Sequence, residues 1–306
     1  MGRRHAEKVV ELGRSDPSVV LLGVADVELG EAERVASQLQ VRAVRDAGEL
    51  FSQADAAIVA VPTASHFTAV RAALEAGLDV LVEKPIATTL AQGEELLRSA
   101  RQGKRILRVG HQEWFNPALR VVRERIRDPL FVEAHRLSAF SDRGTDIDVV
   151  RDLMIHDLDI LQQLLGAPPT RIEAVGVPVI SPQVDIANAR LAFPGGCIAN
   201  LTASRVSVTP MRKIRFFQRD GYFSIDFLKQ SVSIFRRLVD AGETTPRVDA
   251  EELKIDPDDA LAAQLRAFVE ALRTRKTSGM IGTDGLDALG TALRVIAAMP
   301  SVEALQ

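Results

Sequence analysis

The sequence predicts an α/β domain with a parallel sheet, followed by an α+β domain with a mostly antiparallel open sheet. Three observations carry this. Through roughly the first 115 residues, short apolar runs alternate with helix-patterned segments, the signature of βαβ units. After Pro117, strand-like runs follow one another, and Pro194-Gly195-Gly196 and Asp220-Gly221 have hairpin turn chemistry. The length, 306 residues, suits two ordinary domains.

In the first domain, the apolar stripe Ala6, Val9, Val10 predicts a helix over 4–12, with Gly13 as its stop signal. Buried strands are expected over 19–25, 41–44, 56–61, 80–82 and 105–109, each a run of β-branched or apolar residues. Helices are expected over 31–39, 47–51 and 66–76, the last ended by Gly77, and in a segment capped by Thr89 and running to Gln102. In the second domain, helices are expected over 118–126 and 146–165, and strands over 131–137, 171–179, 184–193, 197–206, 212–219, 222–227 and 232–235. Ile186, Asn188, Arg190 and Ala192 alternate with Ala187, Ala189, Leu191 and Phe193, which predicts a sheet with one face on the long helix. The polar stretch 240–256 reads as a loop, and helices over 258–273 and 283–298 end the chain. The domain division expected is 1–117, 118–282, and a terminal helix over 283–306 that packs back on the first domain.

Composition narrows the function. Hydrophobic content is 46%, charged content 26% and net charge −3, so nothing points to nucleic acid or an anionic membrane as partner. No apolar run approaches the ~20 residues of a membrane span. The one cysteine, Cys197, has no metal-ligand neighbours and sits in a strand-like run; a buried thiol, a reducing cytoplasmic setting and no bound metal are expected.

Four constellations carry chemistry. Asp26 ends a strand, where a dinucleotide fold holds the adenosine ribose; a carboxylate there favours NAD over NADP, though a turn aspartate looks the same. Pro62-Thr63-Ala64-Ser65-His66 opens a helix after a strand and faces the ligand crevice, or is simply a helix start capped by Thr63 or Ser65. The run Val80-Leu81-Val82 ends in Glu83-Lys84-Pro85, and an ammonium at a strand's carboxyl end can stabilise charge developing on a substrate oxygen. Asp152 and His156 lie four apart on a helix, so the carboxylate can orient the imidazole as a general base, or the two form a structural hydrogen bond. His111, Asn116, Arg136 and Arg143 are weaker candidates, and His5 and His135 carry no usable signal.

Glu83-Lys84-Pro85, Gly110-His111 through Phe115-Asn116-Pro117, and Asp152-x-x-x-His156, in this order and spacing, resemble the signatures of the glucose-fructose oxidoreductase/inositol dehydrogenase (Gfo/Idh/MocA) family over essentially the whole chain. The resemblance implies an amino-terminal Rossmann domain with a doubly wound sheet, a carboxy-terminal open-sheet domain and a nicotinamide cofactor. It implies that His156 takes a hydroxyl proton, Asp152 orients it and Lys84 polarises the reacting oxygen while hydride passes between a sugar carbon and the cofactor. Gly2, Asp26, Pro62, Thr63, His66, Glu83, Lys84 and Gln112 would then hold the cofactor, and Asn116, Arg143 and Asp157 would face the substrate. The stretches Arg136–Phe140 and Arg143–Asp157 are similar to one branch, which oxidises the 3-hydroxyl of UDP-N-acetylglucosamine on the route to amide-linked lipid A. A homodimer or homotetramer through the second-domain sheet is implied as well. A free sugar or cyclitol dehydrogenase, and a cofactor-less binding or structural subunit, are the alternatives.

Two departures stand out. Trp114 replaces the arginine expected before Phe-Asn-Pro. The family's first strand and the first two glycines of Gly-x-Gly-x-x-Gly are absent, and Met1-Gly2-Arg3-Arg4-His5-Ala6 resembles only the end of that turn. Loss of this central strand should leave a gap between its neighbours and expose apolar surface. Met1 is expected to be an internal methionine within the turn; the chain as written is expected to bind NAD weakly and to carry an unstable first domain.

Overall fold

β-branched runs closed by Asp, Gly or Pro become short parallel strands, and the segments between them become helices that cover the strands. The computed structural model describes residues 1–140, 147–238, 247–275 and 282–300. Arg143, expected to face the substrate, lies outside them, as do residues 240–246 of the expected loop. The chain divides into two units, Met1–Gln112 with Asp259–Leu286, and Glu113–Asp258 with Asp287–Gln306.

The first unit runs α1 (Gly2–Ser15), β1 (Gly23–Ala25), α2 (Leu29–Leu39), β2 (Arg42–Val44), α3 (Gly48–Phe51), β3 (Ala56–Val59), α4 (Thr63–Glu75), β4 (Asp79–Glu83), α5 (Leu90–Gln102) and β5 (Leu107–Gly110). Thr89 caps α5 as expected, accepting from the Gln92 amide at 3.3 Å. Among the described residues, β1 pairs in parallel with β2, and β3, β4 and β5 form a second parallel sheet with β4 in the middle. The two sheets do not pair with each other among these residues, so β1 and β3 each keep an open edge. Val20 and Val27, which lie before and after β1, are 67% and 76% exposed. By contrast, Val80, Leu81 and Val82 of β4 are buried. Lys84 therefore emerges from the best-packed strand of the unit.

Two local expectations are corrected here. The strand expected over 19–25 forms ladder bonds only over β1, because residues before it find no neighbour. Gly13 does not stop α1. The helix runs on to Ser15, and a Cβ at Gly13 would stand 2.5 Å from the Val19 carbonyl oxygen, so this glycine permits close packing.

The second unit begins with a 3₁₀ turn (Gln112–Phe115, its first residue in the first unit), then α6 (Pro117–Arg120), β6 (Phe131–Leu137), a π-helical turn (Val150–Met154), α7 (Ile155–Leu165), β7 (Arg171–Val177), β8 (Ile186–Ala192), β9 (Ile198–Ser204), β10 (Met211–Gln218), β11 (Gly221–Asp226), β12 (Ser231–Leu238) and β13 (Arg247–Leu253). Among the described residues the strands make one sheet in the order β13-β12-β11-β10-β6-β9-β8-β7, antiparallel except where β6 meets β9. The predicted alternation holds. Ala187, Ala189 and Leu191 of β8 join Ala199 and Leu201 of β9 and Ile214 and Phe216 of β10 in one core with Met154, Leu158 and Leu161. Cys197 lies in this core, and burial pushes its thiol up to about 11. The expected helix over 118–126 is regular only across α6, and the expected loop contains β13. Its polar sequence hid the strand because β13 is an edge strand whose side chains are almost all exposed, held by backbone pairing to β12.

α8 (Ala260–Thr274) and α9 (Gly282–Ala297) complete the chain. The sequence division placed α8 with the second domain. Instead Phe268 and Ala271 pack with Leu81 and Ile106 on the second parallel sheet, and α8 belongs to the first unit. The start of α9 packs there too, with Gly285 against Val109 and Leu286 against Gly93, whereas Ala292 and Val295 join the second unit's core. No helix among the described residues is long and apolar enough to cross a membrane.

Candidate active site

In the first unit the site grows from the carboxyl ends of β4 and β5. Glu83 and Gly110 are ladder partners, so Lys84 and His111 follow them side by side. A Cβ at Gly110 would stand 3.2 Å from the Glu83 Cα, so any larger residue would push the two strand ends apart by a few tenths of an ångström. Glu83 is taken by His5, whose Nε2 lies 2.7 Å from Oε1, both side chains being largely buried. Burial alone would raise the Glu83 carboxyl. The hydrogen bond from His5 and the charges of His5 and Lys84 outweigh it and hold the group below its usual range. His111 is shifted down to about 3, chiefly by burial and secondarily by the charge of Lys84, so its ring is neutral at physiological pH. Lys84 itself is half-buried, and the Lys84-Pro85 peptide bond is cis. His5 was missed in the sequence because its partner is 78 residues away.

The helix starts provide for an anion. An ideal Cβ on Gly2 would lie 3.9 Å from the Ala60 Cβ, so α1 begins beside the end of β3. Neither α1 nor α4 has a side-chain cap or an acidic residue in its first turn, which leaves their leading amides to an outside acceptor, except that the Ser65 amide of α4 already donates to the Pro62 carbonyl at 2.8 Å. Pro62 is the N-cap of α4 and Thr63 its first residue; Thr63 and Ser65 do not cap it. Asp26, exposed at the end of β1, accepts from the Glu28 amide at 3.0 Å through Oδ1. These residues fit a dinucleotide, with amides for a pyrophosphate and a carboxylate for ribose hydroxyls. Gln112 is half-buried at the start of the 3₁₀ turn. His66 departs from expectation: it is 1% exposed and turned onto two backbone carbonyls, because α4 starts earlier than predicted and carries it inside.

In the second unit, Asp152 lies in the π turn and His156, 8% exposed, in the first turn of α7. The four-residue spacing therefore spans a change of helix type, which the sequence did not reveal; π turns recur at functional sites. Asp148 anchors the π turn, accepting from the amides of Val150 and Arg151 at 3.1 and 3.0 Å and from the Arg151 guanidinium at 2.6 Å.

Beside His156, Asp157 is not turned to a ligand. Both its oxygens accept from Arg136, at 2.8 and 3.0 Å, and Arg136 also donates to Glu113 at 2.9 Å. All three are buried. Burial would lower the Arg136 guanidinium, but the two carboxylates raise it above its usual range and keep it charged. Asn116 is likewise structural: its Oδ1 accepts from the Ala118 amide at 3.1 Å and its amide donates to the Phe227 carbonyl at 3.3 Å. Both were expected to face the substrate; instead Asp157 ties α7 to Arg136 of β6, and Asn116 caps α6. Trp114 stacks under Arg123, 5.1 Å from ring centroid to guanidinium, and packs on the core.

Comparison with known proteins agrees with this architecture. Residues 1–111 match an oxidoreductase family with an NAD-binding Rossmann fold, and residues 118–224 match the GFO/IDH/MocA C-terminal domain. A UDP-N-acetylglucosamine 3-dehydrogenase from Acidithiobacillus ferrooxidans is 35% identical over 296 residues, covering 96% of this chain and 93% of that protein. A solved structure of a UDP-N-acetylglucosamine 3-dehydrogenase from the same organism has a TM-score of 0.90 at 34% identity, covering 97% of this chain and 93% of that one. A scyllo-inositol 2-dehydrogenase (NAD(+)) from Bacillus subtilis is 28% identical over 225 residues, 68% of this chain and 65% of that protein. With both domains matched in order and a relative 35% identical along nearly the whole chain, the chain belongs to the GFO/IDH/MocA family of oxidoreductases.

Proposed function

We propose that the protein oxidises the 3-hydroxyl of UDP-N-acetylglucosamine with NAD as the hydride acceptor. The observation that carries the substrate is the likeness to a dehydrogenase of that nucleotide sugar across nearly the whole of both chains. His156 would accept the proton of the reacting hydroxyl as its carbon is oxidised. Asp152 holds the imidazole in the orientation that accepts the proton. Lys84 donates to the reacting oxygen and stabilises the charge that develops there, which a half-buried ammonium does more strongly than one in open water. NAD, when bound, supplies the carbon that takes the hydride. The first turns of α1 at Gly2 and of α4 at Pro62 and Thr63 would hold its pyrophosphate, and Asp26 its ribose. The Asp26 carboxylate would repel a 2′-phosphate, which selects NAD over NADP. The buried single thiol suits a reducing cytoplasm.

Incubation with NAD and UDP-N-acetylglucosamine should raise the absorbance of the reduced cofactor. A protein inert towards this and every other sugar tried, yet folded, would rule the reading out. Lys84→Ala and His156→Ala should each lower kcat by roughly 10²- to 10⁴-fold. The double variant should fall little further, since groups that act as a unit are not additive. Independent, multiplying losses would contradict the assigned roles. The inositol dehydrogenase relative favours a second reading, oxidation of a free cyclitol. Turnover of myo-inositol exceeding that of the nucleotide sugar would establish it.

A further inference from the structure

His66 makes two contacts that a neutral imidazole cannot both satisfy. Its Nδ1 lies 2.7 Å from the Pro85 carbonyl oxygen and its Nε2 2.9 Å from the Val61 carbonyl oxygen, in a site where the residue is 1% exposed. Carbonyl oxygens only accept. A neutral ring has one N–H and one lone pair, so one contact would set a lone pair against an oxygen at hydrogen-bond distance, away from water. Turning the ring by half a turn would replace both nitrogens with carbons and give up both bonds. With a proton on each nitrogen, both contacts become charge-assisted hydrogen bonds.

The two carbonyls belong to the two strand-end loops of the first unit. Val61 follows β3 and precedes the N-cap of α4; Pro85 follows Lys84 at the end of β4. The charged side chains on the elements packed around the ring are Arg71 and Glu75 of α4, Glu94, Glu95, Arg98 and Arg101 of α5, Asp79 and Glu83 of β4, and Lys84 just after it. Arg71 pairs with Glu75 and Glu95, and Glu83 with His5. The direct hydrogen-bond partners of the ring are thus the two carbonyl oxygens.

We propose that His66 is a positioning residue: protonated on both ring nitrogens, it ties the Pro85 loop to the α4 loop and so fixes where Lys84 presents its ammonium. The proposal rests on the reading of Lys84 as the group that polarises the reacting oxygen. Nitrogen NMR of the full chain with labelled histidine tests the protonation without reference to activity. At neutral pH both His66 ring nitrogens should show the shifts of protonated nitrogens; a lone-pair shift on either overturns the doubly protonated ring. His66→Gln, which cannot bridge both carbonyls, tests the positioning. Its kcat should fall roughly 10- to 100-fold, the scale of an ångström misplacement at a reacting group, while NADH affinity by fluorescence changes less than about threefold. An unchanged kcat in the variant overturns the positioning role. If the unaltered protein turns over no sugar, the functional reading fails while the NMR result still decides the charge; if His66→Gln does not fold, one-bond N–H couplings at both His66 ring nitrogens of the unaltered protein decide whether the ring bridges the two carbonyls.

Discussion

At the scale of single residues, burial sets the charge of the groups around Lys84. His111 is 1% exposed and takes a proton in the folded state only at about 3, against 6.5 for an ordinary histidine. The unfolded chain therefore binds a proton that the folded chain refuses between those values. Stability should be unaffected by this group above about 6.5 and should fall as pH drops through the window towards 3. The slope from one such group is on the order of 1.4 kcal/mol per pH unit. Urea unfolding across this range should show it, and His111→Asn, which cannot titrate, should flatten the curve; an equal slope in the variant would contradict the assignment. Residue-level legibility followed distance. Lys84 was readable because a β-branched run ending in Glu-Lys-Pro marks a strand end by itself. The His5–Glu83 bond and the Arg136–Asp157–Glu113 cluster were not, because each joins residues that only the tertiary fold brings together. For the same reason Asp157 and Asn116 were read as facing the substrate when they are structural.

Elements were legible where pattern and burial agree. β6 and β8 alternate in sequence and lie half in the core, and their predicted extents nearly coincide with those observed. The π turn at Asp152 was invisible, since one extra backbone residue per turn leaves no mark in an already apolar stretch. β13 escaped because polar edge strands carry no alternation. The packing of α9 makes a sharper test. A Cβ at Gly285 would stand 2.4 Å from Val109 Cγ2 and 2.6 Å from Val109 Cβ, atoms too close to the backbone to swing aside. Replacing a helical glycine with alanine ordinarily gains about 1 kcal/mol. Overpacking costs about 1–3 kcal/mol, so here the clash should win. Gly285→Ala should lower unfolding stability, and adding Val109→Ala should recover part of it. A stabilised single variant would show that α9 does not approach β5 this closely.

For the whole molecule, the outer face of the eight-stranded sheet of the second unit bears on assembly. Phe131, Phe217, Tyr222 and Phe235 form a continuous aromatic row across β6, β10, β11 and β12, with centroid spacings of 5.7, 5.0 and 4.4 Å. All four are only half-buried, an apolar stripe on a face otherwise lined by Glu133, Asn188 and Thr202. We propose that a second copy of the chain covers it, giving a homodimer or homotetramer. Light scattering should report such a mass, and Tyr222→Lys with Phe235→Lys should reduce it to that of a monomer; a monomeric unaltered protein would refute the interface. On the opposite face of the same sheet, the buried Cys197 has another use. The sequence holds one cysteine, 3% exposed within the second unit's core. A thiol-reactive dye therefore has a single target, and it can be reached only when that core opens. Labelling kinetics in native buffer thus clock the opening of the second unit and stay silent to any opening confined to the first. One unmodified side chain lets the steadiness of one half of the protein be timed without disturbance from the other.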